Sequence, residues 1–221
     1  MIYAYVLCDP ASAAPPPRRR GLGDARLRVV RSGALAAVYS RHRTLRPEPT
    51  REALLVHERV VEAVMARGAV LPFRFDTELE SERDLAARLA ERHDELVRAL
   101  NRVRGRVELG LRVIAERRAP VLPDGAERSG RAYVLGLVDA HRRADRAAHE
   151  LHEPLDALAV ASTVRAPARP PAVLAASYLV DAGRVAAFRS RVDELAAGCD
   201  DVDVVLTGPW PPYNFAGQAG T

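Results

Sequence analysis

Apolar residues along this chain change period several times, and each change marks an element. Ile2 to Cys8 reads as a first strand, with Tyr3 and Tyr5 on one face and Ala4 and Val6 on the other. Residues 9–25 are rich in Pro, Ala and Gly, the composition of a mobile loop. Leu27 to Arg31 and Leu35 to Ser40 flank Ser32-Gly33 and predict a hairpin. Arg46-Pro47-Glu48-Pro49 breaks the chain, and Thr50 is placed to cap a helix from Arg51 to about Ala66. Leu54, Val60, Val61, Val64 and Met65 recur there at helical spacing, and Gly68 suits the position just past the end. Val70 to Phe75 is a short strand or extended link. Leu85, Leu89, Leu96, Leu100 and Val103 line one side of a second helix, from about Ser81 to Arg102.

Val107 to Ile114 alternates as another strand. Residues 115–130 are polar and contain Pro120, Pro123, Gly125 and Gly130, which marks a domain boundary or insertion. A long helix is expected from Ala132 to about Ala161, kinked or broken near Pro154. Arg165 to Pro171 is a connector, Val173 to Val180 a strand, Val185 to Ala197 a helix and Val202 to Leu206 the last strand. This order predicts an α+β chain of two domains, 1–118 and 126–221. Each would have a small, mostly antiparallel sheet packed by helices, with ferredoxin-like character.

The last strand leads into a stretch unlike the rest. Trp210 is the only tryptophan in a chain whose aromatic content is 5%. Gly208-Pro209 punctuates the strand, and Pro211-Pro212 sets a stiff, extended path flanked by Trp210 and Tyr213. Two readings follow. Trp210 and Phe215 lock the last strand by packing over it, or the rings form an aromatic docking surface. Large aromatics are mostly buried, which favours the lock and predicts a cost of about 3–5 kcal/mol for Trp210→Ala.

Composition narrows the function classes. No apolar run approaches the roughly 18–20 residues that span a bilayer, and the N-terminus has no basic leader. Cys8 and Cys199 are far apart and read as small buried hydrophobes of a reducing compartment, so the expected location is cytoplasmic. The net charge is +4, yet every basic residue is Arg and acidic residues are interspersed with them, the pattern of solvated helix faces. Nucleic-acid binding prefers a clustered patch, and Arg18-Arg19-Arg20 reads instead as a solvated loop. His57-Glu58 lacks the second histidine of a zinc helix motif. His141, Asp145, His149, His152 and Glu153 fall near one helix face, but Arg142, Arg143 and Arg146 oppose a cation there. No nucleophile elbow occurs, and Gly21-Leu22-Gly23 lacks the third glycine of a dinucleotide cradle. Nothing asks for catalysis, a cofactor or a metal.

Leu206 to Phe215, as Leu-Thr-Gly-Pro-Trp-Pro-Pro-Tyr-Asn-Phe, closely resembles the terminal signature of the gas vesicle F/L family. Further stretches resemble it in order: Tyr3 to Val6, Leu54 to Val64, Val70 to Thr77 and Val107 to Val113. The family usually has Trp where this chain has Leu109, so an aromatic contact is lost there while an apolar residue is kept. The resemblance implies two α+β domains, no known catalytic activity and no cofactor. It also implies an accessory role in gas vesicle assembly, with the main shell subunit and other accessory proteins as partners, and neither nucleic acid nor membrane. The aromatic alternation of Tyr3, Tyr5, Phe73 and Phe75 beside the Gly- and Pro-rich loop leads to the expectation that the first domain's sheet, with these residues, supplies or supports the surface for the shell subunit. Trp210, Pro211, Pro212, Tyr213 and Phe215 form the structural signature. A ferredoxin-like nucleic-acid-binding module and a small-molecule-binding enzyme are the alternatives from other classes.

Overall fold

The computed structural model describes residues 1–14, 19–44, 48–115, 130–165, 171–199 and 202–217, without the side chains of 130–137 and 139–141. The chain forms two compact units. The first is Met1–Val107 together with Trp210–Thr221, and the second is Glu108–Pro209. This differs from the expected division at 118 and 126. Composition marks where a chain is polar, whereas the unit boundary depends on which strands pair.

In the first unit, β1 (Ile2–Cys8) is central and buried on both faces. It pairs with β3 (Leu35–Arg41) on one side and with β4 (Val70–Pro72) and β5 (Glu78–Leu79) on the other, while β2 (Leu27–Ser32) adds outside β3. The β2–β3 hairpin turns at Gly33-Ala34, where Gly33 holds a positive φ of 58°. Ala4 faces Tyr39 and Val6 faces Val38, so Tyr5 is the extra residue of a bulge. The bulge shifts the alternation, and Val6 joins Tyr3 and Tyr5 in one core instead of facing away with Ala4.

Helix α1 (Arg51–Met65) contributes Val60, Val61 and Val64 to that core. Thr50 caps it as expected, its side chain accepting from the Ala53 N–H at 3.2 Å. Beyond α1, the expected single helix is two: α2 (Glu82–Glu91) and α3 (His93–Val103), broken at Arg92. Its apolar spacing runs on without interruption, so no local residue announced the break. These two helices pack against β2, β3 and β4, and the Tyr39 hydroxyl donates to Glu82 Oε2 at 2.5 Å. Residues 9–14 and 19–25 are not the free loop expected. Ala13, Gly21 and Leu22 are buried, and a Cβ on Gly21 would come within 2.1 Å of the Tyr5 hydroxyl.

The second unit reads β6 (Arg106–Ala115), α4 (Gly130–Asp156), β7 (Ala161–Arg165), β8 (Ala172–Asp181), α5 (Val185–Ala196) and β9 (Val202–Trp210). Its sheet order is β7-β8-β6-β9, which with this element order is the ferredoxin-like arrangement. The first unit keeps α+β layering with a different strand order, so the ferredoxin-like character lies in the second. Leu109, Leu111, Val113, Ala148, Tyr178 and Phe188 are among its core residues, and Leu109 is wholly buried. Strand β7 was not foreseen: the expected helix ends at about Ala161 and the expected connector begins at Arg165, with no element placed between them. Helix α4 contains Pro154 and ends at Asp156. Strand β9 continues through Gly208-Pro209 to Trp210, where the sequence suggested a turn.

Candidate functional site

The polar chemistry of the first unit gathers beneath and along α1. Tyr3 and Tyr5 have no exposed surface, Phe73 is buried and Phe75 half-buried. Tyr3 and Tyr5 therefore offer no contact surface, and of the two expected roles only support of a surface remains open to them. The Tyr3 and Tyr5 rings meet edge to face at 4.9 Å, and His57 packs against both and against Phe75. His57 Nε2 lies 3.1 Å from the Phe73 carbonyl, which only accepts, so Nε2 carries the proton. Nδ1 then accepts from the Tyr3 hydroxyl at 2.8 Å, and the Tyr3 oxygen accepts from the Asp76 N–H. Burial drives the His57 pKa down to about 4, and its bond to Phe73 only partly opposes this. His57 is neutral and fully partnered, a structural histidine.

A second chain of bonds leaves Tyr5. Its hydroxyl accepts from the Leu22 N–H at 2.8 Å and bonds Ser40 Oγ at 2.8 Å, which in turn bonds His42 Nε2 at 2.7 Å. These contacts fix the bulged residue of β1 and the segment around Leu22. Sequence reading missed the cluster because its members come from five separated stretches: Tyr3 and Tyr5, Leu22, Ser40 and His42, His57, and Phe73 to Asp76.

The terminal signature belongs to this same unit. Pro211, Pro212 and Ala216 are buried, and Tyr213, Asn214 and Phe215 are half-buried. The segment turns on itself through Tyr213 N–H to Pro211 O at 2.8 Å and Phe215 N–H to Pro212 O at 3.1 Å. Tyr213 donates its hydroxyl to Glu58 Oε2 of α1 at 2.9 Å, and its ring lies 6.5 Å from that of His57. Burial, then the charge of Glu58, pushes the Tyr213 hydroxyl up. Trp210 is 41% exposed, so it is not a buried lock. The prolines and Tyr213 occupy that position, because the strand carries the indole outward before the chain turns inward.

The histidine group on α4 does not assemble. Asp145, His149 and Glu153 are exposed, His152 Nδ1 bonds the Tyr178 hydroxyl at 2.7 Å, and the His141 side chain lies outside the described residues. Among the described residues no group of three or more His, Cys, Asp or Glu is placed to hold a metal ion. The Cys199 thiol donates to the Leu195 carbonyl, and burial pushes the Cys8 thiol up to about 12, far from reactivity. A cleft of about 380 Å³ in the first unit is lined by apolar residues including Phe73, Leu79, Leu85, Leu89 and Leu96, and by Arg88 and Arg92 among its polar ones. Arg92 is held by Glu95 through two bonds. No described helix is long and apolar enough to cross a membrane.

Fold and site together describe a two-unit α+β protein whose buried polar groups serve its architecture and whose terminal segment is docked on a helix. Its fold is that of the gas vesicle protein GvpF from Anabaena sp. PCC7120, with a TM-score of 0.80 at 17% identity, covering 97% of this chain and 95% of that one. GvpF from Microcystis aeruginosa superposes with a TM-score of 0.76 at 16% identity, covering 97% and 98%. In sequence the chain is 34% identical to gas vesicle protein L of Streptomyces sp. (strain CB03234), over 98% of this chain and 93% of that protein. Identity to gas vesicle protein F2 of Halobacterium salinarum is 32%, over 97% and 91%. The family described as gas vesicle synthesis protein GvpL/GvpF matches residues 1–217, and the chain belongs to it.

Proposed function

We propose that this chain is a non-enzymatic, cytoplasmic assembly protein. In this reading it binds the main gas vesicle shell subunit, together with other accessory proteins, as the shell nucleates. The observation that carries it is membership of the gas vesicle family over residues 1–217. The physical need is clear. A subunit that repels water on one face aggregates before assembly unless a partner covers that face. Exposed apolar side chains available for such contact include Leu54, Leu55, Val160, Val164, Val205 and Trp210. Tyr3, Tyr5, Phe73 and Phe75 support the surface from behind, holding β1 and His57 beneath α1. Capture of purified shell subunit by the full chain is the direct test. Retention of the chain on isolated vesicles after a urea wash then separates a shell component from a transient helper. Absence of capture at every concentration, with normal vesicles in cells lacking the chain, would reject the proposal.

A further inference from the structure

Residues 76–84, Asp-Thr-Glu-Leu-Glu-Ser-Glu-Arg-Asp, hold five acidic side chains and one basic, in a chain whose net charge is +4. The fold sets this run beside apolar surface. Strand β5 pairs Glu78 with Tyr3 and Leu79 with Ile2. Helix α2 follows, capped by Ser81, whose hydroxyl accepts from the Asp84 N–H at 3.2 Å and donates to Asp84 Oδ2 at 2.9 Å. Asp84 is thereby fixed one turn ahead of Arg88. The apolar cleft of about 380 Å³ adjoins a second of about 650 Å³, and Leu79 and Arg88 line both. Glu91 lines the first, and Glu78, Glu80 and Asp84 line the second. Against these four carboxylates stand Arg88, Arg92 and the amine of Met1. Glu95 already holds Arg92 through two bonds, so among the described residues negative charge is in excess.

We propose that this double groove docks a basic amphipathic segment of a partner protein. Its large apolar side chains enter the cleft lined by Phe73, Leu85 and Leu89, and its Lys or Arg side chains meet Glu78, Glu80, Asp84 and Glu91. Charge selects the occupant. An acidic segment is repelled by the carboxylates, and a neutral one leaves them without a counter-charge. The chain as a whole is positive, so a basic segment is attracted at this patch and repelled by the overall charge, which fixes where it lands. Apolar anchors spaced by one helical turn, flanked by complementary charge, are the general means by which a groove holds a helix. The smaller cleft also falls within the roughly 300–1,000 Å³ of sites that enclose a ligand group. The proposal goes beyond the assembly reading and does not depend on it.

The test uses the full chain and three labelled amphipathic peptides of about 14 residues, built from leucine and lysine, leucine and glutamate, or serine and lysine. Fluorescence anisotropy reads affinity, and hydrogen exchange reads the place. The leucine–lysine peptide should bind, slow exchange within residues 77–96 and weaken as salt is raised. The other two should bind roughly tenfold more weakly or not at all. Glu80 and Glu91 are exposed, so Glu80→Lys with Glu91→Lys should keep the fold and weaken the leucine–lysine peptide roughly tenfold. Arg88→Gln should tighten it about threefold. Circular dichroism checks the double variant; if it is unfolded, Arg88→Gln and the peptide series decide. Equal affinity for the leucine–glutamate peptide, protection outside 77–96, or affinity unmoved by the charge changes overturns the proposal. Protection that rises with the chain's own concentration makes a second copy the occupant, and protection by decanoate alone makes the groove a small-molecule pocket; either result also overturns it. No readout uses the shell subunit, so failure here leaves the assembly reading standing.

Discussion

The two units bury tyrosine in opposite ways. In the first, the hydroxyls of Tyr3, Tyr5 and Tyr39 are each tied to groups from distant stretches, namely His57 and Asp76, Leu22 and Ser40, and Glu82. In the second, Tyr178 lies in a largely aliphatic core against Phe188, and its hydroxyl bonds the half-buried His152. The second unit has a ferredoxin-like element order that specifies its own sheet, so apolar packing suffices. The first has a bulged central strand and an irregular strand order, and directional bonds fix where its segments meet. A core held by geometry fails when one bond is removed, and a core held by packing fails when volume is removed.

That contrast sets an order of expected effects. Phe188→Ala should cost the second unit the most, about 3–5 kcal/mol, measured by chemical denaturation with exchange followed unit by unit. Acid should then strike the first unit selectively. The folded-state pKa of His57 is about 4, below its ordinary 6.5, so the folded state resists protonation. Stability from this group is complete above pH 6.5, declines as pH falls towards 4 and levels off below. The total loss is about 3 kcal/mol. His57→Gln should flatten that dependence; a slope that survives the substitution would place the acid sensitivity elsewhere.

Smaller effects sharpen the same comparison. Tyr5→Phe should cost about 2–3 kcal/mol, since it strands the buried Leu22 N–H and one partner of Ser40. Tyr178→Phe should cost about 1 kcal/mol or less, because His152 can turn to water. Equal costs for the two would remove the distinction drawn between the units. Smallest of all, Trp210→Ala should shift stability by less than about 1 kcal/mol, because an exposed ring loses little on truncation. A loss of 3–5 kcal/mol there would restore the tryptophan as the element that secures the terminus.

Elements with a local signature were legible from the residues alone. Thr50 before an apolar periodicity gave α1, Ser32-Gly33 gave the hairpin, and β8 and α5 fell within a residue or so of their observed limits. Misses came where the deciding partner is remote. Strands β5 and β7 exist because β1 and β8 offer edges to pair with, and nothing within Glu78–Leu79 or Ala161–Arg165 announces it. The break at Arg92 falls inside an apolar spacing that continues across it. Of the site, the terminal stretch was visible as an oddity, but its docking on Glu58 joins residues 155 positions apart.

Local pattern carried the α+β class, most helices and strands, and a terminal signature specific enough to suggest the family. Those depend on short-range periodicity, capping and turn chemistry, which a single stretch of chain carries. Long-range contacts settle which strands share a sheet, that residues 210–217 belong with the first unit, that Tyr3 and Tyr5 face inward, and that Trp210 faces out. Burial and hydrogen-bond partnership are properties of pairs distant in the chain. No local pattern of apolar and polar residues encodes the identity of the second member.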